Sequence, residues 1–373
     1  MSRELSIRYP RRIVARRAIK FFGRFLTSIL ARPTVTGREN LPEKGPLILV
    51  GNHVAVIEIA MMTMYSPWPI EVMGAGDIPL DPRYAWMADW YGMIPIKRGQ
   101  MDREGLNMAL DVLKQDGIVG LFPEGGIWET NIKQARNGVA WLSNKSNAPI
   151  VPMGFGGMEG ALDKIGKFKR PKLTMNIGEV IPAVNVKVPG KSRKEVLSES
   201  ANMIMERVAE LIPEEERRMR EQTYIGESFD FQTLITDAQG SSVAIPADYD
   251  IIAKEALSKL FHRPVMLDVF NRNLKLPIKP LLRVDQKQDP ADLVAATGEI
   301  LAYIDTNPYF FHYRFGNGEG SAMVAGLRQL QDLARWASEK PGVQMQLKPI
   351  RRYTLVDTNE EVIEDTPAHI HEM

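Results

Sequence analysis

From Gly45 onward the chain alternates between short apolar runs and segments with helical spacing. LILV (47–50), MIPI (93–96), IVGLF (118–122), PIVPMGF (149–155) and KLTMNIG (172–178) have the length and apolar content of buried strands. Between them, 58–65 reads as a helix halted by Pro67, 103–115 as a helix stopped by Gly117, and 139–146 and 194–211 as two more. This alternation predicts an α/β fold, a largely parallel sheet flanked by helices. The run EEERRMREQ after Pro213 reads as a solvated helical connector. From about Asp248 a second, small α/β domain is expected, with helices near its start, over 291–304 and over 322–338. Its strands are expected at 264–268, 280–285, 309–315, 343–348 and 351–356.

The stretch before Gly45 has a different pattern. Arg8, Arg11, Arg12, Arg16, Arg17, Lys20 and Arg24 alternate with Ile13, Val14, Ile19, Phe22, Phe25, Leu26, Ile29 and Leu30, the pattern of a basic amphipathic helix. Such a helix lies in the headgroup region, held by apolar burial and by roughly 1 kcal/mol per basic residue near anionic lipid. It does not span, since Lys20 and Arg24 interrupt every apolar window, and no small-residue cleavage site follows it. Packing on the core and nucleic-acid binding are the alternatives for this segment. The expected organisation is therefore a docking helix over 1–32, a catalytic domain over 33–215, a linker over 216–247 and a C-terminal domain over 248–373.

Composition narrows the chemistry. The 373 residues carry 44% hydrophobic and 25% charged side chains, ordinary for a globular protein, and no cysteine, which excludes disulfides, a thiol nucleophile and thiolate-ligated metals. The net charge of +1 is uneven: residues 1–213 hold 29 basic and 21 acidic side chains (+8), residues 214–373 hold 18 and 25 (−7). The two halves are therefore expected to meet different surroundings.

Four segments carry candidate chemistry, each where a predicted strand ends in a loop. In GNHVAVIE (51–58), His53 precedes Glu58 by five residues. On one helix they would lie about 140° apart, so they meet only if the chain turns between them. A carboxylate that holds the ring through one nitrogen leaves the other to take a proton from an attacking hydroxyl. GMIPIKR (92–98) delivers Lys97 and Arg98, a point charge and a planar fork suited to phosphate, or else a solvated basic strand end. LFPEGG (121–126) brings Glu124 with Gly125 and Gly126, whose backbone admits close approach of a ligand or simply makes a tight turn; Arg136 and Gly138 open the next helix. In PIVPMGF, Pro152 interrupts a strand in the way of an edge or a bulge.

In this order the four segments resemble the glycerophospholipid acyltransferase superfamily, which includes the 1-acylglycerol-3-phosphate acyltransferases. The pattern His-x-x-x-x-Asp, Gly-x-(Ile/Val)-x-x-x-Arg, Phe-Pro-Glu-Gly and Val-Pro is met by His53 to Glu58, Gly92 to Arg98, Phe122 to Gly125, and Val151 with Pro152. A Lys-x-Gly that follows the third block in the family is matched by Arg136, Asn137 and Gly138. The resemblance covers about residues 33–215 and implies the glycerolipid acyltransferase fold. It also implies His53 as the base, oriented by Glu58, that activates an acceptor hydroxyl against an acyl-CoA or acyl-carrier-protein thioester. It implies Arg98 with Lys97 on the acceptor phosphate, Glu124, Gly125, Gly126 and Arg136 around the acceptor head, and Pro152 shaping the pocket. A lysophospholipid-type acceptor, a membrane lipid surface, a peripheral place on the cytoplasmic face, and no metal or cofactor are implied as well. Nucleic acid is not expected as a partner. One residue departs from the pattern: the aspartate is Glu58, one methylene longer.

Two rivals stay open: the same transfer to a non-phosphorylated acceptor such as a glycolipid, aminolipid or pigment hydroxyl, and a non-catalytic lipid-binding scaffold. GNGEG (316–320) reads as a plain loop or an anion turn, His369 and His371 as a disordered end or a metal pair, and Met61, Met62 and Met64 as core or acyl-pocket lining.

Overall fold

A computed structural model describes residues 5–98, 102–124, 137–220, 224–262 and 264–365. The chain divides into two units, one up to Glu221 and one from Gln222.

The first unit runs α1 (Ile13–Leu30), β1 (Arg32–Thr36), β2 (Leu47–Gly51), α2 (Ile57–Tyr65), β3 (Glu71–Ala75), α3 (Pro82–Tyr91), β4 (Ile94–Ile96), α4 (Arg103–Leu113), β5 (Ile118–Leu121), α5 (Gly138–Ser146), β6 (Ile150–Gly156), α6 (Ala161–Gly166), β7 (Lys172–Ile177), α7 (Arg193–Leu211) and α8 (Glu214–Arg220). Its seven-stranded sheet has the order β1-β7-β6-β2-β5-β3-β4, parallel throughout except where β6 meets β7. The expected α/β architecture is thus present.

β2 lies at the centre and is buried along its whole length. Its side chains alternate between the two faces: Ile48 and Val50 join the core under α4, α5 and α7, while Leu47 and Leu49 join the core that holds Met61, Met62 and Met64 of α2. A strand covered on both faces has no polar side to show, which is why LILV reads as an unbroken apolar run. The methionine stripe is core.

Pro152 lies within the sheet, and it is tolerated there because pairing shifts beside it. Ile150 bridges Ile181, whereas Met153 pairs Ile177, so two residues on β6 face three on the return chain. This bulge leaves the proline needing no donor, and its carbonyl accepts from Gly178 N–H at 2.9 Å.

The N-terminal helix forms as expected, with Arg16, Lys20 and Arg24 turned toward the domain. Arg16 is buried and grips both oxygens of the buried Glu71 at 2.6 and 2.7 Å, and Arg11 joins them at 2.9 Å. Lys20 donates to Ser66 O and Pro67 O, and Arg24 to Met64 O, where carbonyls at the C-terminal end of α2 need partners. Burial, with Arg24 and Arg38 nearby, pushes the Lys20 ammonium down to about 8. These basic side chains hold α1 to the domain, while Arg8 and Arg17 are exposed. The apolar side chains of α1 face out: Val14, Phe21, Phe22, Phe25, Leu26 and Ile29 are all exposed.

The second unit runs β8 (Tyr224–Thr236), α9 (Lys254–Phe261), α10 (Pro264–Asp268), α11 (Pro290–Thr306), α12 (Tyr309–Phe315), α13 (Asn317–Ser338), β9 (Gln344–Leu355) and β10 (Glu361–Glu364). Its sheet is antiparallel, β10-β9-β8.

Several expectations need correction here. Residues 224–236 are a strand and not part of a linker; Phe231 and Ile235 of that strand are buried. Residues 309–315 are helical: YFFHYRF has strand-like aromatic content, yet Phe310, Phe311 and Arg314 are buried on one helical face, and the two phenylalanine rings close around Phe270. Residues 264–268 are helical and 279–283 form a tight 3₁₀ turn, short apolar pieces whose type length does not settle. The strands expected at 343–348 and 351–356 are one, β9. Pro349 pairs with Phe231 on β8, and β10 reaches only as far as Arg351, so the proline nitrogen is not needed as a donor. GNGEG opens α13 after Gly316.

Candidate active site

Because β2, β3, β4, β5 and β6 run parallel, the loops after them emerge on one edge of the sheet. His53 follows β2, Asp77 follows β3, Lys97 and Arg98 follow β4, and Phe122 and Glu124 follow β5.

The chain leaving β2 is tied down residue by residue. Asn52, fully buried, accepts from Phe155 N–H at 2.8 Å and donates to Phe155 O at 3.2 Å, so its amide continues the β2–β6 pairing one step past the strand. His53 N–H donates to Glu124 Oε1 at 3.1 Å. Val54 N–H and Ala55 N–H donate to Glu58, each at 3.0 Å. The turn needed to bring His53 and Glu58 together is therefore made by Glu58 itself, which reaches back from the first turn of α2. Negative charge is also favoured there by the helix dipole.

His53 Nδ1 lies 3.5 Å from Glu58 Oε2, buried and with no hydrogen-bond partner. That separation exceeds a closed N–H···O bond by several tenths of an ångström, as catalytic pairs do before substrate tightens them. The ring stacks on Phe122, with centroids 4.4 Å apart and planes 24° apart, and keeps 12% of its side-chain exposure. Since Nδ1 itself is buried against Glu58, Nε2 is the nitrogen left for a substrate proton. Gly51 keeps this corner open: a Cβ there would come within 2.5 Å of the Phe155 ring and 3.1 Å of Phe122.

Glutamate at position 58 has a geometric role. Its extra methylene, about 1.5 Å of reach, lets one carboxylate serve the two turn amides and still face His53.

The other expected residues are distributed as follows. Glu124 is buried and engages the His53 backbone. Arg98 is paired with Asp77 through Nε at 2.7 Å and a second nitrogen at 3.2 Å, and Lys97 is exposed with its N–H on Asp102 at 2.8 Å. With strands about 4.8 Å apart, β4 lies three spacings from β2, about 14 Å from the base at the level of the backbone. Pro152 is in register with Val50, three residues before His53. Gly125, Gly126 and Arg136 lie outside the described residues. Among the described residues no group of three or more His, Asp and Glu is placed to hold a metal.

Asn52, Asp77 and Asp102 escaped the sequence reading, as did the stacking of Phe122 on His53. Asn52 had a signal, a small polar residue between four buried apolar positions and a histidine; the partners of the other three are set only by folding.

Residues 32–156 match the family model described as Acyltransferase. The chain is 23% identical over 182 residues to the 1-acyl-sn-glycerol-3-phosphate acyltransferase of Bacillus subtilis (strain 168), a match covering 48% of this chain and 86% of that protein. Among solved structures it aligns with the 1-acyl-sn-glycerophosphate (LPA) acyltransferase PlsC of Thermotoga maritima at 20% identity and a TM-score of 0.39, over 54% of this chain and 83% of that one. The matched segment lies in the first unit and holds the turn that carries His53 and Glu58. The protein is an acyltransferase.

Proposed function

We propose that the enzyme moves a fatty acyl chain from an acyl-CoA or acyl-carrier-protein thioester to the free hydroxyl of a lysophosphatidate-type acceptor, working from the cytoplasmic face of a membrane. The observation that carries this reading is the buried contact of His53 Nδ1 with Glu58 on a turn fixed by Asn52, Glu124 and Glu58. The name of the Bacillus relative supports the acceptor class.

In this reaction His53 Nε2 takes the hydroxyl proton as the oxygen attacks the thioester carbonyl, and Glu58 stabilises the imidazolium. The C–O bond forms, the C–S bond breaks, and the imidazolium returns the proton to the leaving thiolate, giving ester and free thiol. Arg98 and Lys97 bind the acceptor phosphate, Glu124 with Gly125, Gly126 and Arg136 frames the acceptor head, and Pro152 shapes the pocket.

Thiol release from long-chain acyl-CoA with lysophosphatidic acid tests the proposal. Release must depend on the acceptor and fall by about 10²- to 10⁴-fold in His53→Ala; acceptor-independent release, or none, defeats it. The Arg98–Asp77 pair favours a second reading, a neutral acceptor, because a guanidinium already matched to a carboxylate is a poorer phosphate site. Arg98→Ala separates the two, abolishing transfer to a phosphorylated acceptor and sparing a neutral one.

A further inference from the structure

The sheet edge that carries His53 is basic on both flanks. β7 runs antiparallel to β6, with Gly156 beside Thr174, and β1 runs parallel to β7, with Arg32 beside Lys172, so both strands start at the edge where β2, β5 and β6 end. At about 4.8 Å per strand, the start of β7 is about 10 Å and that of β1 about 14 Å from the end of β2, on the side away from Arg98. The loop leading into β7 is strongly basic: residues 164–172 hold Lys164, Lys167, Lys169, Arg170 and Lys172 and no acidic side chain. All five are exposed, as is Arg32. Of the acidic residues just before them, Asp163 pairs with Lys167 at 2.9 Å and Glu159 is exposed. In the middle stands Phe168, 79% exposed at φ 54°. Around it Phe168 N–H donates to Ile165 O at 3.0 Å and Lys169 N–H to Lys164 O at 2.8 Å, the left-handed helix stop that glycine usually makes. Arg170, at φ 44°, is left-handed too.

Phe168 gains little burial from this strained position. A strained, solvent-facing aromatic ring among cations is the pattern of a binding surface rather than of a folding requirement. Both reactants of the proposed transfer are anionic, and Lys97 and Arg98 serve the acceptor on the other flank. A nucleotide is held in a concavity. Here every cation is exposed and spread along a loop, which suits the surface of a second protein, met by an apolar anchor inside a charged rim. We infer that residues 164–172 with Arg32 form the docking surface for an acidic protein that carries the acyl thioester on a flexible arm, with Phe168 as the anchor. The thioester then reaches His53 by crossing two strand spacings while its carrier stays at the rim. This rests on the acyl-transfer reading and commits the donor side of the site to a carrier protein.

The test compares palmitoyl-acyl-carrier protein with palmitoyl-CoA as donor to lysophosphatidic acid, using the full chain, and follows binding of the carrier protein by calorimetry. Lys164→Glu/Lys169→Glu should raise KM for the carrier-bound donor about tenfold or more at low salt, leaving kcat and the KM for palmitoyl-CoA unchanged. The difference should shrink in about 0.5 M salt. Phe168→Gly, which keeps the test open should the double variant misfold, should weaken carrier binding about tenfold. It should also raise the thermal midpoint of the first unit, because glycine relieves the left-handed position; a ring needed only for folding would lower the midpoint and leave KM alone. Variants that bind the carrier protein like wild type overturn the inference, as does an equal rise in KM for both donors. So does a loss of binding to phosphatidylglycerol vesicles with the KM for the carrier-bound donor untouched, the mark of a lipid-facing loop. Carrier binding that the variants abolish, with no transfer from either donor in the wild type, defeats the acyl-transfer reading alone. Transfer from palmitoyl-CoA, with neither binding of the carrier protein nor transfer from it, defeats the docking surface alone.

Discussion

At the residue scale, the site is a strand end converted into a rigid turn. Asn52 supplies with its side chain the donor and acceptor that a further residue of β2 would have supplied with its backbone. Asn52→Ala removes both from a fully buried position and leaves Phe155 N–H and C=O unpaired, so it should cost roughly 2–4 kcal/mol. Denaturant titration of the first unit checks this. Glu58 both holds the turn and, under the proposed mechanism, orients His53. Glu58→Asp restores the residue common in the family but shortens the arm that here spans Val54, Ala55 and His53. It should lower thiol release by about 10-fold or more rather than raise it. A gain in rate with aspartate would mean that the turn is not built around glutamate.

At the scale of elements, α1 shows how one sequence pattern can be satisfied in two opposite ways. An alternation of arginines with phenylalanines is amphipathic whichever face turns inward. Here the choice falls to Glu71, buried on β3, which demands cations, and to the C-terminal carbonyls of α2, which accept them. Removing Arg16 alone leaves Glu71 short of its bidentate partner in a buried site, and Arg16→Ala should cost about 3–5 kcal/mol. The thermal midpoint of the first unit and protease resistance of α1 should fall together. A purely lipid-facing arginine would show neither effect. The helix α12 is the corresponding case in the second unit: strand-like aromatic content is overridden because Phe310 and Phe311 complete a ring cluster with Phe270 that a strand's alternation cannot build.

At the scale of the whole molecule, every residue assigned to acyl transfer belongs to the first unit, while the second has its own sheet and its own core. Phe270→Ala, which empties a fully buried site in the second unit, should destabilise that unit by about 3–5 kcal/mol and leave the rate of transfer per folded molecule unchanged. Calorimetry together with the thiol-release assay distinguishes this from a catalytic role for the second unit.

The sequence by itself determined the parallel sheet, because strands buried on both faces must read as apolar runs between helices. It also determined that His53 and Glu58 could meet across a turn at a strand end, because motif spacing survives translation into loops at strand ends. Only the tertiary structure decided which face of α1 turns outward, that Glu124 holds the His53 backbone, that Arg98 meets Asp77, and that 224–236 is a strand. These depend on partners far away in the chain, and a buried charge or an unpaired amide selects its partner only after the chain has folded around it.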